Sequence, residues 1–142
     1  MLYLSGVHAL NIDCLLNTTG DWHCSAIRWD VIDKRLKDSS YSVFKDYGIE
    51  KDKQLFFLDR KPKYNVANHI RACLDLIEEG NFAQAQGMRK DFICTNEYDK
   101  EIFRKVLLLK NSNQWDKVDN FMGKEYSMKW FYFKKEEGIQ ND

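Results

Sequence analysis

"NVANHIRACLDLIEEG", Asn65 to Gly80, is the stretch whose reading organises the rest of the chain. Val66, Ile70, Cys73, Leu74 and Ile77 recur at helical spacing and form one apolar stripe. Asn65 stands where a side-chain oxygen can cap the first free amides. Gly80 stands where the chain must leave the helix through a left-handed residue. The spacing predicts a helix between those two residues, with His69 as a polar residue on its flank.

The helical spacing continues downstream. "NFAQAQGM" predicts a shorter helix with Phe82 and Ala85 inward. Ile102, Val106 and Leu109 predict a helix from about Tyr98 to Leu109, capped by Asn96. Trp115, Val118 and Met122 predict another, opened by Ser112 or Asn113 and stopped by Gly123. The pattern then changes. "EYSMKWFYF" alternates Tyr126, Met128, Trp130 and Tyr132 against Ser127, Lys129, Phe131 and Phe133. It reads as an aromatic strand covered on both faces. The tail from Lys134 to Asp142 is polar and predicts disorder.

Upstream, the only proline, Pro62, marks a polar junction, "DRKPKYN". Before it, short apolar runs are broken by turn residues. "YLSGVHALNI" and "CLLN" read as strands, "TTGD" as a turn and "HCSAIRW" as the return strand. "VIDKRLKDSSYS" is a short helix or a loop, and Leu55 to Leu58 a strand after a turn at Gly48. The expectation is an α+β fold: a small antiparallel sheet of N-terminal strands closed by the aromatic strand, packed with three or four helices. Residues 1–133 would form a single domain, β-rich over 1–61, α-rich over 62–125 and closed by a strand at 126–133.

Composition narrows the function classes. The chain has 142 residues, the size of one domain. Lys and Arg number 22 and Asp and Glu 22, so no basic excess points to DNA or to sequence-independent phosphate binding. A chain near neutrality also has little charge repulsion against association. No apolar run approaches the roughly 18 residues of a membrane span. The N-terminus lacks the basic region and cleavage site of a secretion signal. Cys14, Cys24, Cys73 and Cys94 form no C-x-x-C pair and read as reduced thiols of a cytoplasmic protein.

Chemistry is concentrated in "TTGDWHC", Thr18 to Cys24. Gly20 and Asp21 suit a turn, and Trp22 would anchor it to the core. The same residues offer a carboxylate and an imidazole. With His69 and Arg71 from "NHIRA", Asp21 and His23 would make an acid–base set for RNA or a nucleotide. His69 and Cys73 share a helix face and, with Cys14 and Cys24 or His23, are the candidate metal ligands. Their spacing matches no zinc signature, so no metal and no cofactor is expected. A high aromatic content, 14%, exceeds what a small core needs. It makes Trp22, Trp29, Trp115 and Trp130 the candidate interaction aromatics.

The block Tyr3 to Asn11, the run Thr19 to His23, Trp29, "NVANHIRACLDLIEEGNF" and "NQWDKVDNFMGKEY" together resemble small bacterial proteins of mobile-element and host-defence loci, toxin–antitoxin pairs among them. The resemblance brings no established activity and no catalytic residues. It implies a partner-binding or regulatory role. The expectation is a non-enzymatic interaction module, such as an antitoxin or an accessory subunit, that binds a protein partner or a second copy of itself. The alternative is a small enzyme acting on RNA or a nucleotide.

Overall fold

Asn68, not Asn65, caps the central helix. Its side-chain oxygen accepts the Arg71 N–H at 2.8 Å, and helix α2 runs His69–Glu78. Val66 of the expected stripe lies instead in a strand. The structure, a computed structural model, describes residues 1–21 and 27–139. Trp22, His23, Cys24 and most of the expected return strand therefore lie outside the described residues; its described end, Ile27 to Trp29, is not strand, and Trp29 opens the 3-10 segment Trp29–Arg35.

The fold is α+β, as its patterning indicates, with two small antiparallel pairs. Strand β1 (Leu2–Tyr3) pairs with β2 (Lys37–Asp38), and β3 (Ile49–Gln54) with β4 (Lys63–Ala67). Leu4 joins the two pairs through a parallel bridge to Val66: Leu4 donates to the Asn65 carbonyl and accepts from Ala67, both at 2.8 Å. This ladder draws residues 63–67 out of the helix. Helix α1 occupies Gly6–Leu10, so "YLSGVHALNI" is strand only at its start. "CLLN" forms bends, and Leu55–Leu58 belongs to the turn beyond β3.

The remaining helices are α3 (Phe82–Ala85), α4 (Asp99–Val106, continued by a 3-10 turn to Leu109), α5 (Trp115–Tyr126) and α6 (Met128–Glu136). The segment expected as a closing strand is thus the end of α5 and most of α6. Ser127, at φ +54°, breaks the two apart. Apolar residues on both faces fit a period of two, but they also fit a helix buried at Trp130, Phe133 and the stem of Lys134. Phe103 of α4 decides between them, with Tyr126, Trp130 and Phe133 packed around its ring at centroid distances of 4.9, 5.4 and 5.3 Å. Gly123 lies inside α5 rather than ending it. A Cβ there would stand 3.1 Å from the Phe131 ring. Regular structure also extends past 133: Lys134 is buried and donates to Asp119 at 2.6 Å.

Helix α2 is enclosed on every side; His69 through Ile77 are all buried. Two charges go in with it. Arg71 is 0% and Asp75 1% exposed, one turn apart, with Nε to Oδ1 at 2.9 Å. The other Asp75 oxygen accepts from the Tyr3 and Ser5 hydroxyls, each at 2.6 Å. Arg71 Nη1 donates to the Lys45 and Tyr47 carbonyls at 2.7 and 2.6 Å, and Nη2 to Tyr3 Oη at 3.0 Å. Gly48, at φ +72°, is required here, since a Cβ would come within 2.8 Å of the Arg71 Cβ.

The buried polar groups of the fold set two expectations. Arg71→Met or Asp75→Asn alone leaves an uncompensated buried group and costs about 3–5 kcal/mol in urea unfolding, whereas Arg71→Met with Asp75→Leu recovers much of the loss. Burial, reinforced by Asp75, pushes the Tyr3 phenol far above its ordinary value, and burial does the same to Tyr126. The unfolded chain releases these protons near pH ~10 while the fold retains them, so stability is intact below that pH and falls as pH rises through it. Urea midpoints at pH ~8 and ~10.5 check the sign.

Candidate functional site

The β3–β4 hairpin ends in Leu55-Phe56-Phe57-Leu58-Asp59-Arg60-Lys61. Leu55 is buried and donates its N–H to the Pro62 carbonyl at 2.8 Å, which anchors the base of the tip. Arg60 and Lys61 both take positive φ, +65° and +45°. Two consecutive non-glycine residues there store backbone strain, a feature concentrated at functional sites. With Leu55 turned in, Phe56 and Phe57 face out, 68% and 56% exposed.

The Phe57 ring meets the half-buried Trp29 edge-on at 4.9 Å, and Trp29 meets His8 at 5.2 Å. The Tyr64 hydroxyl donates to Asp33 at 2.6 Å and fastens the Trp29–Arg35 turns against the hairpin. That hydrogen bond, with burial and the Asp33 charge, pushes the Tyr64 phenol up to about 12. The result is an exposed aromatic ledge of Phe56, Phe57 and Trp29. Along the whole hairpin, Lys51, Lys53, Arg60, Lys61 and Lys63 outnumber Glu50, Asp52 and Asp59, so a neutral chain carries a locally basic hairpin.

His8 continues the ledge into a polar cleft of about 630 Å³, lined also by Asp21, Arg28, Arg35, Lys37 and Glu79. His8 Nε2 lies 2.9 Å from the Arg28 carbonyl. Arg28 forms a two-pronged pair with Asp30 at 2.8 and 3.3 Å, and Lys37 pairs with Glu79. Known proteins give no further guide. The chain matches no family model, no curated protein and no solved structure.

The residues singled out from the sequence are dispersed. Asp21 lines the cleft, but His69 and Arg71 do not. Arg71 is spent on Asp75, Tyr3 and two carbonyls. His69 is buried, with Nδ1 2.7 Å from Thr18 Oγ1 and Nε2 2.8 Å from the Ile12 carbonyl. The proposed acid–base set is therefore not assembled from these two. Of the metal candidates, Cys14 and His69 come together only through Thr18, both His69 nitrogens are occupied, Cys73 is sealed in the core, where burial pushes its thiol up, and Cys24 lies outside the described residues. Among the described residues, no three of His, Cys, Asp and Glu surround a common point.

Of the tryptophans, Trp29 lies on the ledge. Trp115 is half-buried, 6.2 Å from Trp130. Trp130 is core, its indole N–H donating to Asp119 at 2.7 Å, so it is not a surface aromatic. Sequence reasoning passed over Phe56 and Phe57, taking them as strand. The signal was present: a four-residue apolar run set between "KDKQ" and "DRK" fits a protruding tip as well as a buried strand. It also passed over Thr18 as the link between Cys14 and His69.

Ledge and core should respond differently to truncation. Phe57→Ala should change stability by about 1 kcal/mol or less while shifting tryptophan fluorescence through Trp29. Trp130→Ala should cost about 3–5 kcal/mol in the same urea titration.

Proposed function

We propose that this chain is a non-enzymatic protein-interaction module that binds its partner through the Phe56–Phe57–Trp29 ledge. The observation that carries the reading is the pair of adjacent exposed phenylalanines on a strained hairpin tip, braced by a tryptophan. Aromatic anchors of this kind dominate binding energy when a partner's pocket desolvates them. The cations of the hairpin favour a partner with an acidic rim, which would set orientation and encounter rate. The resemblance noted from the sequence would make that partner a toxin or another effector of the same locus. Cys14, Cys73 and Cys94 are unbridged thiols, in keeping with a reducing compartment such as the cytoplasm. Among the described residues, no helix is long and apolar enough to cross a membrane.

A second reading, a small enzyme acting on RNA or a nucleotide, draws support from His8, Asp21, Arg28 and Arg35 on one cleft. It must work without His69 and Arg71, whose polar groups are engaged inside the fold.

A photo-crosslinking side chain decides between the readings. Placed at position 57 in the native cell, it should yield one discrete protein adduct. Placed at Tyr41, which is 90% exposed but distant in sequence from the ledge, it should not. Phe56→Asp should weaken binding of the identified partner by about 30-fold or more. Equal adducts from both positions, or none from position 57, would overturn the proposal.

A further inference from the structure

The loop from Asn11 to Asp21 is fastened along its whole length. Lys53 donates to the Asp13 carbonyl. The Leu15 N–H donates to Glu50 at 2.8 Å and the Asn17 N–H to the Tyr98 hydroxyl at 3.0 Å. Thr19 and Gly20 both donate to the Phe92 carbonyl, at 3.0 and 2.8 Å, in the wide π turn Met88–Ile93. Asp21 closes the loop onto the Leu10 carbonyl at 2.8 Å. Gly20, at φ +78°, lets the loop press against the imidazole, since a Cβ there would come within 2.8 Å of His69 Cε1.

Held in this frame are three side chains in a row. Cys14 Sγ stands 3.4 Å from Thr18 Oγ1, and Thr18 Oγ1 stands 2.7 Å from His69 Nδ1. At its far side, the ring puts Nε2 2.8 Å from the Ile12 carbonyl. A carbonyl only accepts, so Nε2 carries the hydrogen and Nδ1 of the neutral ring is the base. The Thr18 hydroxyl then donates to Nδ1 and accepts the thiol S–H. Passing one proton along this row leaves a thiolate on Cys14 and an imidazolium whose two N–H groups are both bonded. The row supplies a nucleophile, a relay hydroxyl, a base and a group that orients the base.

The titration directions agree with the geometry. Burial pushes the Cys14 thiol up, but His69 and Thr18 outweigh it and bring the thiol down to about 7. Burial pulls the His69 imidazole down, but Cys14, the Ile12 carbonyl and Asp13 outweigh it and raise it.

We propose that Cys14, with Thr18 and His69, is a thiol site that reacts with small hydroperoxides. The sulfur lone pair attacks one peroxide oxygen, forming the S–O bond as the O–O bond breaks. The departing oxygen takes the bond's electron pair and recovers the proton from His69 through Thr18, leaving as water or an alcohol. The thiol is oxidised to a sulfenic acid and the peroxide is reduced. A relay that both takes and returns a proton suits this reaction, whose leaving group is strongly basic. Cys14 is half-buried, which favours a reagent no larger than a small hydroperoxide. The site stands whether or not the aromatic ledge binds a protein.

The test uses the reduced full chain with hydrogen peroxide and dimedone, a carbon acid that traps sulfenic acids, read by peptide mass mapping. Cys14 should be labelled at neutral pH at least about tenfold faster than the exposed Cys94, and Thr18→Val should remove that advantage while Thr18→Ser restores it. Labelling of Cys14 no faster than Cys94, or a rate unchanged in a folded Thr18→Val variant, would overturn the proposal. Should Thr18→Val fail to fold, the pH dependence of Cys14 alkylation by iodoacetamide in the unaltered chain decides. A midpoint near the ordinary thiol value of ~8.5 would overturn the site, and one more than a unit lower would support it.

Discussion

Two distant segments of the N-terminal half converge on one buried ion pair. Arg71 and Asp75 lie a single turn apart on α2, yet their partners arrive from far along the chain: Tyr3 and Ser5 from the first residues, the Lys45 and Tyr47 carbonyls from the loop before β3. A buried guanidinium is costly to desolvate, and the attraction of a single carboxylate does not reliably offset that cost. Here each nitrogen of the guanidinium has an acceptor, and both Asp75 oxygens have donors. The cation also lies 5.0 Å from the Tyr3 ring centroid and 5.6 Å from that of Phe44. A network this fully satisfied specifies where three segments must sit, because moving any one of them strands a buried charge.

That constraint explains the modest sheets. Strand β4 is short because it must release the chain into α2 at Asn68, one turn before Arg71. The hairpin it forms with β3 is irregular, with a register shift between Glu50 and Lys53 and a positive φ at Asp52. The tip projects beyond the core and is braced from the side, by Tyr64 on Asp33 and by Phe57 on Trp29. The aromatic ledge is thus a consequence of how the hairpin ends. The Cys14 loop is fixed in the same way from the other side, through the imidazole of His69 at the first turn of α2.

The helical expectations that held share a feature. In α4, Ile102, Val106 and Leu109 face a single core, so their spacing reports one period without ambiguity. The segment Tyr126–Phe133 is apolar on more than one face, and a run of eight residues then fits a strand and a helix alike. The left-handed Ser127 and the packing around Phe103 settle it, and neither is visible as a local pattern. Asn65 and Asn68 pose a similar tie. Both are good caps, and the choice falls to Asn68 because Leu4 and β3 claim the backbone groups of residues 63–67.

Local sequence determined the α+β class, most of the helices from α2 onward and the balance of charge, because each depends on neighbours within a few turns. Tertiary structure decided the chemistry. Tyr3 meets Asp75, Trp29 meets Phe57 and Thr18 meets His69 across long stretches of chain, and no periodicity encodes such meetings. They arise when burial of the apolar stripe of α2 forces the polar groups beside it to find partners, and which partners they find depends on which loops close over the helix.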